Sequence, residues 1–406
     1  MRLLISGGGT GGHVYPALAV VEQLQTDATA APPAAEDAVL WAGSPNGVER
    51  SLVEAAGAPF RAIQTGQLRG KNPLTAGVNL GKMAVGVRQA LAVLDDFRPQ
   101  VCLVTGGYVC TPVAIACRLR GVPLAVYLPD MTPGLAVKWL SKLAQRVAVS
   151  FPETARYFGG KAVVTGYPVR RTLLQAVQDR AWARTQLAAA LGADLPLVEE
   201  GDLPLLLVFG GSQGARSINR AIWAALSTLL PACHILHIVG KRDWPLLQEE
   251  RPDLPVDLAR RYHPVDYLDR EMAWALAGAD LVVARAGAST LAEFPVARLP
   301  AVLVPLPISG GHQTPNARKL ADAGGAAIVW DHELGERLAP VVLELLADEK
   351  RRLKMGAAMA ALARPQAAGN IARMLAEMAN SNAKTPGRKD ARKSARESLH
   401  ESALKK

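Results

Sequence analysis

The four cysteines of this 406-residue chain, Cys102, Cys110, Cys117 and Cys233, contain no CxxC pair. A disulfide framework or a thiolate zinc site is therefore not expected. Aromatic residues make up 5% of the chain. No apolar run reaches the length of about 18 residues that a membrane-spanning helix needs. No basic, apolar, small-residue leader precedes the strand-like Arg2–Ser6. No Asp-x-Asp occurs, so any leaving diphosphate must be stabilised by helix dipoles and backbone N–H groups, without a dedicated metal pair. No Asp or Glu closes the second strand-like run, which ends Trp41-Ala42-Gly43-Ser44-Pro45. A dinucleotide enzyme wants an acid there for its ribose, which argues against NAD(P). These absences lead to the expectation of a cytoplasmic protein that touches a membrane without crossing it.

Half of the residues are hydrophobic and the formal net charge is +10, which favours an anionic partner. Strand-like runs alternate with helical stretches, the pattern of βαβ units and parallel sheets. In the first half the runs are Arg2–Ser6, Ala38–Gly43, Pro59–Gln64, Val101–Thr105, Leu124–Leu128, Arg146–Ser150 and Ala162–Thr165. In the second they are Leu205–Phe209, His234–Val239, Leu281–Ala284, Ala301–Val304 and Ala326–Val329. Thr26–Asp37 reads as a surface loop, Gly166–Arg170 as a hinge with a helical stretch on to Leu191, and Gly192–Pro204 as a linker. The expected class is α/β, with two Rossmann-like halves facing a cleft. The expected divisions are 1–168, 169–365, a helix over 366–380 that crosses back to the first half, and a basic tail over 381–406. From Lys384 onward that tail holds eight Lys or Arg against three acidic residues.

Each half opens with strand, glycine loop and helix, a geometry that aims N–H groups at a phosphate. The first loop is Gly7-Gly8-Gly9-Thr10-Gly11-Gly12-His13, with a helix expected over Val14–Gln25 and Pro16 in its first turn. His13 lies where the anion would sit and can move a proton near neutral pH. The second loop, Gly210–Ala215, precedes a helix with Ser217 and Asn219. Arg285-Ala286-Gly287-Ala288-Ser289-Thr290-Leu291-Ala292-Glu293 is a third small-residue loop opening a helix. Glu293 either complements the helix dipole or accepts ribose hydroxyls. Gln313 and Asn316, in His312-Gln313-Thr314-Pro315-Asn316-Ala317, either bind sugar hydroxyls or cap a helix. Leu74, Leu80, Met83 and Val87 with Lys71, Lys82 and Arg88 form an amphipathic surface, as does Leu135–Val147 around Trp139. Such faces are either core-facing or membrane-facing.

GGGTGGHVYPALAV, TGGYV, GYPVR, GGSQGAR, RAGASTLAE and HQTPNA, in that order from Met1 to about Asn380, together resemble the MurG family of peptidoglycan glycosyltransferases. The resemblance implies a GT-B fold with no metal in the donor site. It implies inverting transfer of N-acetylglucosamine (GlcNAc) from UDP-GlcNAc to undecaprenyl-diphosphate-MurNAc-pentapeptide, turning lipid I into lipid II. The anionic cytoplasmic membrane surface is then the expected partner, with no nucleic acid. Carried over motif by motif, His13 is the base. Thr10, Gly11 and Gly12 line phosphates, and Tyr108 lies near the acceptor. Arg170 and Ser212 hold the UDP diphosphate, and Leu268 lies against uracil. Ala288, Ser289, Thr290, Leu291, Ala292 and Glu293 wrap the nucleotide, and Gln313 binds the sugar. The family usually carries His-Glu-Gln-Asn where this chain has Tyr127-Leu128-Pro129-Asp130. Asp130 can still accept hydroxyl hydrogen bonds and Leu128 cannot. Another GT-B glycolipid synthase and a non-catalytic UDP-sugar-binding paralogue are the alternatives.

Overall fold

A computed structural model describes residues 1–9, 11–30, 38–67, 73–192, 195, 203–211, 214–307 and 313–383. Thr10, Lys71, Ser212, His312, the stretch 31–37, most of the expected linker and the basic tail from Lys384 lie outside the described residues.

The first half is a parallel sheet of β1 (Arg2–Ser6), β2 (Ala38–Gly43), β3 (Phe60–Ala62), β4 (Val101–Val104), β5 (Leu124–Leu128), β6 (Arg146–Val149) and β7 (Ala162–Val164). Its helices are α1 (Gly11–Ala30), α2 (Val48–Ala55), α3 (Pro73–Phe97), α4 (Cys110–Arg120) and α5 (Leu135–Leu143). Spatial order is β3-β2-β1-β4-β5-β6-β7. Then come α6 (Arg171–Ala176) and α7 (Arg180–Leu191). The second sheet holds β8 (Leu205–Phe209), β9 (His234–Ile238), β10 (Tyr262–Val265), β11 (Leu281–Ala284), β12 (Ala301–Leu303) and β13 (Ala326–Ile328), in the order β10-β9-β8-β11-β12-β13. Its helices are α8 (Arg216–Leu229), α9 (Trp244–Glu250), α10 (Val256–Ala259), α11 (Glu271–Gly278), α12 (Thr290–Ala297), α13 (Gln313–Asp322) and α14 (Leu334–Ala347). The chain continues through α15 (Glu349–Leu362) into α16 (Ala367–Ala383), which packs on α1 of the first half.

Central strands are covered by helices on both faces, so they are continuous apolar runs rather than alternating ones. Leu3, Leu4 and Ile5 of β1 and Leu205–Val208 of β8 are all essentially inaccessible. Each large side chain so buried contributes about 1.5–3 kcal/mol. At one end of α7, Asp280 pairs with Arg180 and with the buried Arg184, and accepts the Leu205 N–H at 2.7 Å. Burial works against the Asp280 charge. The two guanidiniums and the β8 amide outweigh it and hold the carboxyl below its usual range.

Three stretches depart from the sequence expectation. Helix α1 begins at Gly11, so Pro16 sits in the second turn, where it withholds a donor from the Gly12 carbonyl. That early start is held by tertiary contacts: the Thr105 hydroxyl donates to the His13 carbonyl at 2.6 Å. At the other end, Thr26 to Ala30 are helical, not loop. In α3, Met83 and Val87 turn partly inward, whereas Leu74, Val78, Leu80 and Val85 are exposed, Leu74 by 85%.

The two halves are joined at Gly166–Arg170 and again at the turn into α16. The two crossings touch. A Cβ on Gly166 would lie 2.8 Å from the Arg364 Cβ and 2.9 Å from that of Ala367, and its φ of +90° is one that L side chains rarely adopt. Asn370 Nδ2 donates to the Thr165 carbonyl at 3.1 Å.

Candidate functional site

In both sheets the strand order reverses direction beside the first strand, between β1 and β4 and between β8 and β11. Open parallel sheets bind ligands at the carboxyl ends of such a pair. The loops that leave those four ends are the glycine loop after β1, Thr105–Val109 after β4, Gly210–Ala215 after β8 and Arg285–Ser289 after β11.

The first two loops meet around His13. Its Nδ1 lies 3.1 Å from the Gly8 carbonyl oxygen. A carbonyl only accepts, so Nδ1 carries the proton and Nε2 the lone pair in the neutral ring. The Gly106-Gly107 turn packs against the ring and against the Gly8 carbonyl. Trp41 Nε1 donates to the Gly7 carbonyl at 3.2 Å. The Cys110 thiol donates to the Ser6 and Gly106 carbonyls at 3.1 and 2.9 Å, and burial pushes its pKa up to about 12. Tyr108 stands half-exposed on the second loop.

In the second half, Arg285 Nη2 donates to the Ser217 hydroxyl at 2.7 Å and Nη1 to the Val304 carbonyl at 3.2 Å. Ser217 in turn donates to Asp331 at 2.8 Å. Arg285 thus ties α8 to the loop after β11 rather than facing a ligand. Deeper in, the buried His237 accepts from Tyr262 at 2.9 Å and donates to the Asn219 carbonyl oxygen at 3.0 Å. Asn219 passes the chain to Asp243 at 3.2 Å, beside Gly214 of the second glycine loop. Burial pushes His237 down to about 3, so it stays neutral.

Cleft residues come from both halves. The Arg170 guanidinium lies 5.1 Å from the Tyr15 ring centroid and donates to the Asp269 carbonyl at 3.1 Å. The Tyr15 and Tyr267 hydroxyls are 3.4 Å apart, and Lys241 Nζ sits 4.9 Å from the Tyr267 ring centroid. Burial, with Tyr267 beside it, raises the Tyr15 pKa, so the phenol remains neutral. Asn316, buried at the start of α13, accepts from Met131 N at 3.3 Å and donates to Asp130 Oδ1 and the Ala286 carbonyl, each at 3.2 Å. One amide therefore joins the loop after β5 to the loop after β11.

The other expected residues are placed as follows. Gly11 and Gly12 form the first turn of α1. Thr290, Leu291 and Ala292 turn into the core, and their N–H groups are already bonded to the carbonyls of Gly287, Ala288 and Ser289. The side chains and amides of these three residues are thus engaged within the protein. The accessible side chains of the segment are Ala288, Ser289 and Glu293, and among the described residues the amides left for an anion are those of 287–289. The Leu268 side chain is buried in the core, so it is the backbone there that a ligand can meet. Gln313 accepts from Leu306 N at 2.9 Å, which leaves its amide NH2 as the donor for a sugar. Tyr127 and Leu128 end β5 inside the core, with the Tyr127 hydroxyl 2.9 Å from that of Ser150. Asp130 alone of that departing stretch reaches the cleft. Sequence reading missed Tyr15, Lys241 and Tyr267, because their roles depend on the two halves meeting.

Residues 3–149 match the glycosyltransferase family 28 N-terminal domain and residues 205–371 the C-terminal domain of the same family. The chain is 39% identical to the UDP-N-acetylglucosamine–N-acetylmuramyl-(pentapeptide) pyrophosphoryl-undecaprenol N-acetylglucosamine transferase of Roseiflexus sp. strain RS-1, over 92% of this chain and 94% of that one. It is 40% identical to the Nocardioides sp. strain ATCC BAA-499 / JS614 enzyme of the same name, over 93% of this chain and 98% of that one. Among solved structures it resembles Acinetobacter baumannii MurG, with a TM-score of 0.68 and 25% identity over 93% of this chain and 99% of that one. UDP-GlcNAc 2-epimerase from Neisseria meningitidis shares the fold, with a TM-score of 0.62 at 12% identity over 93% of this chain and all of the other. Both family 28 halves in order, with relatives of this identity along nearly the whole chain, make it a member of the MurG family of glycosyltransferases.

Proposed function

We propose that the chain moves GlcNAc from UDP-GlcNAc to undecaprenyl-diphosphate-MurNAc-pentapeptide, with inversion at the sugar carbon and His13 Nε2 as the base. The acceptor 4-hydroxyl attacks the anomeric carbon from the face opposite UDP. As the new C–O bond forms, the bond to the diphosphate oxygen breaks, His13 takes the hydroxyl proton and UDP leaves with the bonding pair. Arg170 and the amides of residues 287–289 stabilise the departing charge. Glu293 accepts the ribose hydroxyls, and Asp130, Asn316 and Gln313 meet the sugar. Tyr108 and the first glycine loop face the acceptor and its diphosphate. Thr10 and Ser212 are assigned to phosphates on their motifs alone.

The observation that carries this reading is the Nδ1–Gly8 hydrogen bond, which leaves the Nε2 lone pair as the proton acceptor beside both loops of the first half. Radiolabelled GlcNAc is expected to appear in lipid II with lipid I as acceptor, and not in product with diacylglycerol. Transfer to diacylglycerol alone would assign another glycolipid. UDP-GlcNAc binding without any product would make the chain a binding paralogue.

We also propose that the first half docks on the anionic cytoplasmic membrane surface, where the lipid-linked acceptor resides. No helix among the described residues is long and apolar enough to cross a membrane. Leu74, Val78 and Val85 form one exposed stripe on α3, with Lys82 and Arg88 beside it. Leu135 and Trp139 are exposed on α5 near Lys138 and Lys142. Apolar insertion combined with basic attraction is the usual means of holding a protein at an anionic interface. Co-sedimentation with anionic vesicles is expected to exceed that with neutral ones, to weaken with salt, and to fall in a Leu74→Asp, Val78→Asp double variant. Equal, salt-insensitive binding to both vesicles would refute the electrostatic part, and unchanged binding by the variant the apolar part.

A further inference from the structure

We propose that Glu49 is a positioning residue that fixes the His13 imidazole through the peptide bond between Gly8 and Gly9. This inference rests on the reading of His13 as the base. Glu49 opens α2, yet its side chain is wholly buried beneath the first glycine loop. Its Oε2 accepts the Gly9 N–H at 3.2 Å and its Oε1 accepts the Ser44 N–H at 2.9 Å. The carboxylate presses so close under the loop that a Cβ on Gly8 would fall 2.4 Å from its Cδ.

The same peptide unit faces His13 with its other end. The Gly8 carbonyl accepts from His13 Nδ1 at 3.1 Å, while the Gly9 N–H of that unit is held by Glu49. Hydrogen bonds in such a chain polarise one another, and an ionised acceptor makes the strongest link. The Glu49 carboxyl oxygen draws the peptide N–H, enriches the Gly8 oxygen and so strengthens its hold on the Nδ1 proton. The consequence is a fixed ring plane and a fixed tautomer with the lone pair on Nε2. A carboxylate thus orients a histidine without touching it. The bland alternative, that Glu49 only staples the first loop to Ser44, predicts a loss of stability with no change in the state of the ring.

Glu49→Gln keeps the shape but offers one oxygen to two N–H donors. It is expected to lower kcat by about 10- to 100-fold, by analogy with the loss seen when the partner orienting a metal-ligating histidine is removed, with KM for UDP-GlcNAc within about twofold. In the wild-type chain, imidazole nitrogen chemical shifts should report the Nδ1–H tautomer of His13, and in Glu49→Gln a mixture of tautomers. A wild-type Nε2–H tautomer overturns the proposal without any variant. So does Glu49→Gln with wild-type kcat, or with reduced kcat and an unchanged tautomer. The His13→Ala and His13→Ala, Glu49→Gln enzymes should turn over equally. If His13→Ala alone retained full activity, the base assignment would fall, while the nitrogen shifts would still decide whether Glu49 governs the ring.

Discussion

His13→Ala is expected to lower kcat with UDP-GlcNAc and lipid I by about 10²- to 10⁴-fold, the usual range for a positioned general base. KM for UDP-GlcNAc should stay within a few fold, because none of the proposed contacts to the nucleotide or donor sugar is made by the His13 side chain. The geometry limits how well another group could substitute. Tyr15 and Cys110 are kept neutral by burial, and Leu128 is an apolar core residue. Asp130 is engaged by Asn316. The substitution also removes the side-chain bond to Gly8, so folding of the variant is to be checked by circular dichroism. Wild-type kcat in a folded His13→Ala enzyme would refute the assignment.

Asp280→Asn is expected to destabilise the chain by about 3–5 kcal/mol, since it strips the carboxylate from a buried guanidinium. Arg184 is 3% exposed, whereas the second partner, Arg180, is 40% exposed and can turn to water. The same carboxylate anchors the first amide of β8, so its loss loosens the strand that leads into the second glycine loop. Urea unfolding followed by tryptophan fluorescence measures the effect. Its pH dependence has a definite sign. The folded-state pKa of Asp280 is depressed, so its contribution is complete above the unfolded-state value and is lost as pH falls through the folded one. Wild-type stability should therefore decline toward acid more steeply than that of Asp280→Asn. Equal slopes would remove Asp280 from the acid response.

The central strands of both sheets were legible because a doubly covered parallel strand is an uninterrupted apolar run, and Leu205–Phe209 and Leu124–Leu128 are too short for helices. The strand at Tyr262–Val265 was not, since its Tyr-His-Pro-Val lacks that signature. It survives on an edge, paired among the described residues with β9 alone, where Pro264 costs little. The start of α1 was misread because two glycines carry poor helix propensity, and contacts from Thr105, far along the chain, reverse it. The motif residues were legible as a set, but sequence did not say which of them face the cleft. Thr290 to Ala292 look no different from Ala288 and Ser289 until their amides are seen spent on the turn. Glu49 was invisible for a related reason. An acid in the first turn of an amphipathic helix ordinarily faces solvent, and only the folding of the loop after β1 over α2 buries it.

The pair of touching crossings at Gly166 and Arg364–Ala367 limits how the cleft can work. A single flexible link would let the halves swing, slide and twist independently. Two segments lying side by side, pinned by the Asn370–Thr165 bond, permit bending about an axis near both and resist shear and torsion. Any opening of the cleft is then steered toward one bending motion, and the two faces would approach each other along a restricted arc. On the proposed mechanism, the alignment of attacking hydroxyl, anomeric carbon and leaving diphosphate would in this way depend on residues some distance from the reacting atoms. A bulky residue at Gly166 would spoil it by changing the radius and tilt of that arc, with every side chain in the cleft left in place.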